Sequence, residues 1–397
     1  MDKILLRPHR EESLLRFHPW VFSGAIARIE GKPAEGDLVA VHAADGRFLA
    51  FGHYQIGSIA VRVLSFEEDP REGDFWLRML SRALGVRVAC GLDGSADTTC
   101  YRLVHGEGDG LPGLIIDYYD GVCVLQAHSV GMFKAREAIT EALKALYGDR
   151  LDAVYDKSSG TAPFKAGLDL QDGYLYQKPG FDQHEKVVLE HGRRFLVNWD
   201  EGQKTGFFLD QRENRARVGA LAAGRTVLNL FCYTGGFSIY ALSGGALHVD
   251  SVDSSRKAMD MVDRNVALGG FDPSRHTSYC ADAIDFLKDI PEGKYDLMIV
   301  DPPAFAKHRG ALKNALRAYQ RLNAAAISKV APGGFVFTFS CSQVVDKEAF
   351  ALAVFSAAAE TGRSVRILDR LNQPADHSVN IYHPEGEYLK GLLLYVE

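Results

Sequence analysis

The sequence lacks several features that would assign a chain to a specialised class at once. Its 397 residues include no run of 18 apolar residues, so we expect no transmembrane helix. The stretch from Met1 to Glu12 has no long apolar core, so we expect no signal peptide. Lys and Arg number 45 against 51 Asp and Glu, a net charge of −6. This excludes a uniformly basic nucleic-acid coat, and any nucleic-acid site must depend on locally clustered charge.

Cysteine is scarce and scattered. None of the six cysteines forms a C-x-x-C pair, so we expect neither a disulfide framework nor a metal site, and we expect a cytoplasmic protein. Hydrophobic residues make up 47% and charged residues 24%, which is typical of a globular protein. At about 150 residues per domain, the length indicates two to three domains.

The spacing of strands and helices divides the chain into three predicted domains, 1–70, 71–190 and 191–397. Residues 1–70 contain short strands between Gly and Asp turns, which predicts a small β-barrel or sandwich. Residues 71–190 begin with a helix over 71–95 and continue as a small α+β unit. In this unit Asp120-Gly121 predicts a β-hairpin. A helix over Met132–Tyr147 and a strand over Leu151–Tyr155 follow.

From residue 191 onwards apolar strands alternate with helices, which predicts an α/β domain with a parallel, doubly wound sheet. A last apolar strand follows a polar loop. The predicted strands are Thr226–Phe231, Leu247–Asp253, a third that ends at Cys280, Tyr295–Asp301, Gly334–Ser340 and Tyr388–Val396.

The turn after the first of these strands contains Gly235 and Gly236. Glycines at a strand-to-helix turn allow a ligand to approach the backbone, and Asp253 at the end of the next strand could accept hydrogen bonds from ribose hydroxyls. The phosphate-binding G-x-G-x-x-G is absent. The pattern therefore favours S-adenosylmethionine over a dinucleotide, although two turn glycines and a helix-capping Asp would also fit.

Two further acids end predicted strands. Asp282 could hold an adenine amino group or cap the following helix. Asp301 begins a D-P-P-x-F turn, in which the prolines supply no backbone donors. Such a turn recurs in enzymes that methylate a planar base, where the carboxyl hydrogen-bonds the ring nitrogen or exocyclic amine. A turn that merely starts a helix is the alternative.

Cys341 follows the fifth strand. Carbon 5 of a pyrimidine is a poor nucleophile, and thiolate attack at carbon 6 activates it. That chemistry needs one cysteine in the cleft, and Cys341 beside Asp301 satisfies the need. A small core residue is the alternative for any single Cys, and we favour that alternative for Cys232.

Two segments are less specific. The span from Pro302 to Val330 contains basic residues and no acidic ones. This indicates either a surface that contacts nucleic-acid phosphates or a solvated helix face. The segment from Lys204 to Arg212 could close over a cofactor or form an ordinary loop. The basic residues of the first span are Lys307, Arg309, Lys313, Arg317, Arg321 and Lys329, with His308.

Taken together, these pieces resemble the cytosine-carbon-5 RNA methyltransferases of the bacterial large-subunit rRNA methyltransferase I type. The resemblance covers essentially the whole chain and adds the N-terminal motif His18-Pro19-Trp20-Val21-Phe22. It implies an N-terminal PUA β-barrel, a central α+β domain and a C-terminal Rossmann-like methyltransferase domain with a closing antiparallel strand. It also implies 23S rRNA or a large-subunit assembly intermediate as partner, no membrane, and a homodimer.

The resemblance implies a set of site residues as well. Cys341 is the expected nucleophile, and Asp301 is expected to act on the base. The residues expected to contact S-adenosylmethionine are Phe207, Asp210, Gln211, Arg212, Asn229, Phe231, Tyr233, Thr234, Gly235, Gly236, Phe237, Asp253, Asp282 and Asp301.

One departure keeps other activities open. Many RNA cytosine methyltransferases carry a second cysteine after the prolyl turn, and here Ala304 takes its place. Uracil-carbon-5 methylation therefore stays open, as does exocyclic-amine methylation with a structural Cys341. A non-catalytic RNA-binding or assembly protein that retains cofactor binding is a further alternative. A dinucleotide oxidoreductase is disfavoured, because G-x-G-x-x-G is missing.

Overall fold

The computed structural model describes residues 1–163, 167–306 and 308–397. They form two compact units. The first comprises Met1–Val188, Val197–Phe207 and Ala375–Gly386, and the second comprises Leu189–Leu196, Phe208–Pro374 and Glu387–Glu397. In the described parts of the chain, every helix is too short or too polar to cross a bilayer.

The N-terminal part of the first unit is a mixed sheet in the order β2-β6-β5-β4-β1-β3. β1 pairs with β3 antiparallel and with β4 parallel. The four strands predicted between residues 25 and 65 are present, whereas β1 and β2 were not predicted. The elements are β1 (Lys3–Leu6), α1 (Glu12–Leu15), β2 (Trp20–Phe22), β3 (Ile26–Glu30), β4 (Leu38–His42), β5 (Phe48–Tyr54) and β6 (Ile59–Ser65).

A second sheet of this unit runs in the order β11-β10-β9-β8-β7. The predicted hairpin is confirmed: Asp120 and Gly121, with φ of 45° and 99°, join β8 to β9, and two positive φ values are what a type I′ turn requires. The helix predicted over 132–147 is interrupted at Ala135. The elements are α2 (Phe75–Ala89), β7 (Cys100–His105), β8 (Leu114–Tyr119), β9 (Val122–Ala127), α3 (Val130–Lys134), α4 (Arg136–Tyr147), β10 (Ala153–Asp156) and β11 (Gly173–Gln177).

A buried ion pair holds a late segment of the chain in the first unit. Arg87, fully buried, donates to both carboxylate oxygens of Asp109 and to the carbonyl of Asp376. The carboxylate of Asp376 accepts from the backbone N–H of Arg102 at 2.9 Å. Satisfied donors are what permits a buried guanidinium.

The second unit is built on a seven-stranded sheet in the order β16-β15-β14-β17-β18-β20-β19. β16, β15, β14, β17 and β18 are mutually parallel, and β20 is antiparallel to both of its neighbours. The predicted parallel sheet and its closing antiparallel strand are therefore confirmed. The strands are β14 (Thr226–Leu230), β15 (His248–Asp253), β16 (His276–Cys280), β17 (Leu297–Val300), β18 (Gly334–Ser340), β19 (Val365–Asn372) and β20 (Lys390–Val396). A separate two-stranded sheet consists of β12 (Glu185–Glu190) and β13 (Arg193–Asn198).

Apolar strands and amphipathic helices form the core of the second unit. β17 reads Leu-Met-Ile-Val and every residue in it is buried, as expected for a central strand covered on both faces. The core joins this sheet to residues of α8, α9 and α10. The helices are α5 (Arg212–Leu221), α6 (Gly236–Ser243), α7 (Arg256–Leu268), α8 (Ala283–Asp289), α9 (Leu312–Lys329) and α10 (Lys347–Thr361).

Candidate cofactor and catalytic site

The carboxyl ends of four parallel strands meet at one edge of the sheet in the second unit. β14 lies between β15 and β17, so the chain leaves β14 in one direction and later returns on its other side. Ligands of open α/β sheets bind outside the carboxyl ends of the strands at such a switch point. The sequence motifs after Leu230, Val252, Val300 and Ser340 all lie at this edge.

The turn after β14 has an unusual backbone. Phe231 and Tyr233 adopt φ values of 57° and 49°, and Gly235 adopts 81°. Such values are strained for residues with a side chain, and strain of this kind concentrates at ligand sites. The N–H of Tyr233 donates to Asp253 Oδ2 at 3.0 Å, which holds the turn against the end of β15.

Beneath this turn, Asn229 is buried at the end of β14. Its Nδ2 donates to Ser238 Oγ at 2.8 Å, while its Oδ1 is buried without a hydrogen-bond partner within the described residues. The ring of Phe237, from the next helix, packs on Phe339 at 5.7 Å. The predicted residues Thr234 and Gly236 complete the turn and begin α6.

The two predicted nucleoside-binding acids also organise the backbone. Asp253 is half-buried, and its Oδ1 accepts from the N–H of Ser255 at 2.9 Å. Asp282 is exposed and caps α8 by accepting from the N–H groups of Ile284 and Asp285. The capping interpretation of Asp282 is therefore confirmed, and a carboxylate with about four lone-pair sites retains capacity for a ligand in both cases.

The predicted segment from Lys204 to Arg212 is divided between the two units. Phe207 belongs to the first unit, where it is buried. Asp210 and Gln211 are buried in the second unit. Gln211 Nε2 donates to Asp301 Oδ2 at 2.9 Å, and Asp210 Oδ2 accepts from the hydroxyl of Tyr388 at 2.7 Å. Gln211 thus connects the segment to the prolyl turn.

A buried ion pair anchors the second half of this segment. Glu190, with 0% exposure, accepts two hydrogen bonds from Arg215 at 2.9 and 2.7 Å. Arg212 lies 3.5 Å from the same carboxylate. The neighbouring carboxylate raises the pKa of Arg215 against the opposing effect of burial. Arg212 therefore supports the segment by an internal ion pair.

The turn after β17 and the loop after β18 are joined directly. Ser342 Oγ donates to the carbonyl of Ala306 at 2.7 Å, and Ser340 Oγ donates to the hydroxyl of Tyr319 at 2.9 Å. Burial raises the pKa of Tyr319 to about 12, so this hydroxyl is neutral at neutral pH. Cys341 lies between the two serines and is partly exposed, which brings it to the same edge as Asp301.

Lys390 is a residue of this region that sequence reasoning missed. It pairs with Ser340 in the antiparallel register of β18 and β20, is 6% exposed, and donates through Nζ to the carbonyls of Ser342 and Val345. Burial lowers the pKa of its ammonium to about 8, against the opposing electrostatic effects of Cys341, Asp346 and Glu387. A lone Lys inside an apolar strand was the available signal.

Cys232, the other cysteine considered at this edge, is buried and its Sγ lies 3.7 Å from the sulfur of Met259. Burial raises the pKa of this thiol well above its ordinary value, which disfavours the reactive thiolate. This arrangement agrees with a structural role.

Comparisons with known proteins agree with this geometry. A family model described as S-adenosylmethionine-dependent methyltransferase matches residues 102–393, and one described as a PUA-like domain matches residues 4–66. The crystal structure of SMU.776 complexed with SAH covers 100% of both chains with a TM-score of 0.85 at 23% identity. Fold and site thus define an S-adenosylmethionine-dependent methyltransferase with an N-terminal PUA-like domain.

Curated relatives narrow the family. The chain is 41% identical over 397 residues to ribosomal RNA large subunit methyltransferase I of Aeromonas hydrophila. It is 40% identical over 395 residues to the protein of the same name from Shewanella amazonensis. Each alignment covers 98% of both chains. The chain belongs to the family of ribosomal RNA large subunit methyltransferase I.

The cofactor is S-adenosylmethionine, and the turn after β14 fits it. Asn229 Oδ1 is a buried acceptor without a partner within the described residues, and the strained turn of Phe231 and Tyr233 allows close approach to the backbone. Acids at the ends of neighbouring strands suit ribose hydroxyls and an adenine amino group.

Proposed function

We propose that this protein methylates carbon 5 of a cytosine in 23S rRNA through a covalent adduct between Cys341 and carbon 6 of the base. The observation that carries the proposal is the junction between two loops: Ser342, next to Cys341, is hydrogen-bonded to Ala306 of the prolyl turn. The thiol and Asp301 therefore follow neighbouring strands at one edge of the sheet. The names of the relatives support a ribosomal RNA substrate.

The thiolate of Cys341 adds to carbon 6 of the ring, and the electron pair of the 5,6 double bond makes carbon 5 nucleophilic. Bound S-adenosylmethionine would supply an electrophilic methyl group to that carbon, and the electron pair of the broken sulfur–methyl bond would stay on the sulfur of the departing S-adenosylhomocysteine. A base then removes the proton from carbon 5, the double bond re-forms, and the Cys341 sulfur leaves as the thiolate. Two bonds to carbon 5 change, and the enzyme is regenerated without an external oxidant or reductant.

Asp301 is proposed to hold the base while this occurs. Its Oδ2 accepts from Gln211, which fixes the orientation of the carboxylate. A carboxyl group in this position can hydrogen-bond the ring nitrogen and the exocyclic amine of an extruded cytosine. Charge that develops at the ring nitrogen during thiolate addition is stabilised best if Asp301 carries a proton when the base is bound.

The cofactor would be held by the turn after β14 and the acids around it. Asp253 is the proposed partner of the ribose hydroxyls and Asp282 that of the adenine amino group. Asn229, Phe231, Thr234, Gly235, Gly236 and Phe237 would shape the pocket, largely through their backbone. Asp210, Gln211 and Arg212 would close it.

The PUA-like domain is the proposed second contact with RNA, and a homodimer is expected from the family resemblance. Uracil-carbon-5 and exocyclic-amine methylation are the competing activities. Ala304 stands where many RNA cytosine methyltransferases carry a second cysteine. Product release is therefore left to the single thiol, an arrangement shared by cytosine and uracil enzymes.

The test uses purified protein, methyl-labelled S-adenosylmethionine and 23S rRNA from a strain that lacks the enzyme, followed by nucleoside mass spectrometry. Wild type is expected to produce labelled 5-methylcytidine, and Cys341→Ala to lose at least about a thousandfold in rate, as expected when a covalent nucleophile is removed. Cys90→Ala, at an exposed cysteine of the first unit, should match wild type.

RNA containing 5-fluorocytidine or 5-fluorouridine separates the pyrimidine alternatives. Fluorine at carbon 5 cannot be removed as a proton, so the adduct with Cys341 should persist in a denaturing gel with the cytidine analogue only. An adduct with the uridine analogue would move the assignment to uracil. Methyl transfer that survives Cys341→Ala would contradict the thiolate mechanism and favour an amine.

A further inference from the structure

A row of cations lies along the outer face of α9. Lys313, Arg317 and Arg321 are spaced four residues apart, so they share one helix face, and Arg309 precedes them in the turn before the helix. All four are exposed. We call these four residues the α9 cationic stripe. From Lys313 to Arg321 it extends about 12 Å at 1.5 Å per residue.

The stripe is not required by the fold. The opposite face of α9, which includes Ala315, Tyr319 and Leu322, is buried in the core of the second unit. Within the described residues, no carboxylate forms an ion pair with any of the four cations. Glu360 of α10 accepts from Gln320 of α9 at 3.2 Å. Four unpaired cations on one face of a chain with net charge −6 make a local field that suits an anionic partner.

An open groove of about 510 Å³ runs beside the stripe between α9 and α10. Arg309, Lys313 and Arg317 line it together with the apolar side chains of Leu316 and Leu352. Leu352 is 63% exposed. Cations beside apolar side chains match a nucleic-acid strand, which presents phosphates on one side and base faces on the other.

The topology directs this surface toward the reactive edge. β17 ends at Val300 on the edge that carries Asp301 and Cys341, and α9 is the connection that returns to the start of the parallel strand β18. The N-terminal end of α9 is therefore the end next to the site, and the stripe leads away from it.

We propose that the α9 cationic stripe is a docking surface for the phosphate backbone of single-stranded RNA next to the methylated base. The proposal rests on the proposed function for the identity of the polymer. It assigns a substrate contact in the second unit, separate from the PUA-like domain, and it predicts that sequence is not recognised there, since phosphate contacts position a strand without specifying bases.

The test measures binding of a fluorescein-labelled, mixed-sequence 20-nucleotide RNA by fluorescence anisotropy between 50 and 200 mM KCl. Single-stranded binding weakens with salt by a slope of about 0.7 per neutralised phosphate. The triple variant Lys313→Gln, Arg317→Gln, Arg321→Gln should therefore reduce the slope by about 2. The ratio of the Kd of the variant to that of wild type should therefore fall about 20-fold as KCl rises from 50 to 200 mM.

A matched control removes three charges elsewhere on the same unit. Arg217, Lys288 and Arg366 are exposed and each is paired with a carboxylate, and their combined change to Gln should leave the slope within 0.5 of wild type. Glu360→Gln should strengthen binding, because it removes a negative charge beside the stripe. SAH binding by calorimetry verifies that each variant is folded.

An unchanged slope in the stripe variant would overturn the proposal. A second outcome would also overturn it: wild type is a dimer, and Leu352→Glu dissociates the dimer without changing the salt slope of RNA binding. The groove would then be a contact between two copies. The Cys341→Ala variant separates this test from the proposed function: its binding slope should equal that of wild type. If the wild-type protein methylates no cytosine but the stripe variant still shows a reduced salt slope, the RNA-docking surface is upheld and the proposed cytosine methylation is rejected.

Discussion

At the scale of single residues, Lys390 shows how a buried cation organises the loop that carries Cys341. Its Nζ donates to two carbonyls of that loop, so Lys390→Met removes two charge-assisted hydrogen bonds and leaves two buried carbonyl oxygens without this donor. Such losses cost about 1–3 kcal/mol each. The loop should then lose its fixed position, and methyl transfer should fall in kcat more than in KM for RNA.

The same residue gives stability a defined pH dependence. The pKa of Lys390 is lowered to about 8 in the folded protein by burial, against about 10.4 when unfolded. Between these values the unfolded chain binds more protons, so stability should rise with pH through this window. The Tm of wild type relative to Lys390→Met should therefore increase by several degrees from pH 7.5 to 10.

Lys288→Met supplies the control for that measurement. Lys288 is exposed, and its hydrogen bond to Asp285 raises its pKa, so any effect on the pH dependence should have the opposite sign and be small. Parallel Tm profiles for wild type and Lys390→Met would contradict the assignment of a lowered pKa to Lys390.

At the scale of elements, the turn after β14 depends on backbone conformations that most residues avoid. A Cβ at Gly235 would combine a φ of 81° with a contact of 3.2 Å to Val262 Cγ1. Gly235→Ala should therefore cost about 1–3 kcal/mol of stability. It should also weaken SAH binding at least tenfold, because the turn is the proposed cofactor cradle; calorimetry measures both effects.

Gly224→Ala is the matched control for the turn. Gly224 has a φ of 71° and open space around its Cβ position, so the variant should show strain alone. Equal SAH affinities for the two variants would show that the turn after β14 is dispensable for the cofactor.

The buried ion pair between Glu190 and Arg215 anchors the segment from Lys204 to Arg212, and its loss can be tested in the same way as that of the turn. Glu190→Gln leaves two buried guanidinium groups near an uncharged side chain and should destabilise the protein by about 3–5 kcal/mol. Asp285→Asn, which breaks the exposed pair with Lys288, should cost less than about 1 kcal/mol. If thermal or urea unfolding shows comparable losses of stability in the two variants, the buried-pair interpretation is contradicted.

The elements that could be predicted from the sequence are those whose cause lies in their own residues. The hairpin at Asp120-Gly121 and the apolar strands β14, β17 and β18 carry their signals in their own residues. β19, which reads Val-Arg-Ile-Leu-Asp-Arg-Leu-Asn and is mostly exposed, has no alternation and exists through its pairing with β20. β12 and β7 were also missed, although β7 is mostly buried.

The same distinction applies to the site. Residues that end predicted parallel strands, such as Asp253, Asp301 and Cys341, could be grouped from strand order alone, because those ends meet at one edge. The bond from Gln211 to Asp301 and that from Lys390 to the Ser342 carbonyl join residues 90 and 48 positions apart. No local pattern specifies them.

At the scale of the whole molecule, two features stay predictions: the domain boundaries at 70 and 190, and the homodimer. The assignment of S-adenosylmethionine as cofactor permits an experiment on the intact chain, in which ligand binding is measured through its effect on stability. A ligand that binds only the folded state at 100 times its Kd stabilises it by about 2.7 kcal/mol. For a chain of 397 residues that corresponds to a rise in Tm of roughly 3 °C with saturating SAH.

Asp253→Asn tests whether that stabilisation passes through the proposed ribose acid. The amide retains an oxygen for the Tyr233 N–H but loses the oxygen that accepts from the N–H of Ser255. It also loses the charge that strengthens hydrogen bonds from ribose hydroxyls. A tenfold weaker Kd at the same SAH concentration would reduce the stabilisation to about 1.4 kcal/mol. Asp272→Asn, at an exposed capping Asp of the same unit, should keep the full shift in Tm. If both variants keep it, Asp253 acts only as a brace for the turn, and the ribose must be held by other groups at the edge of the sheet.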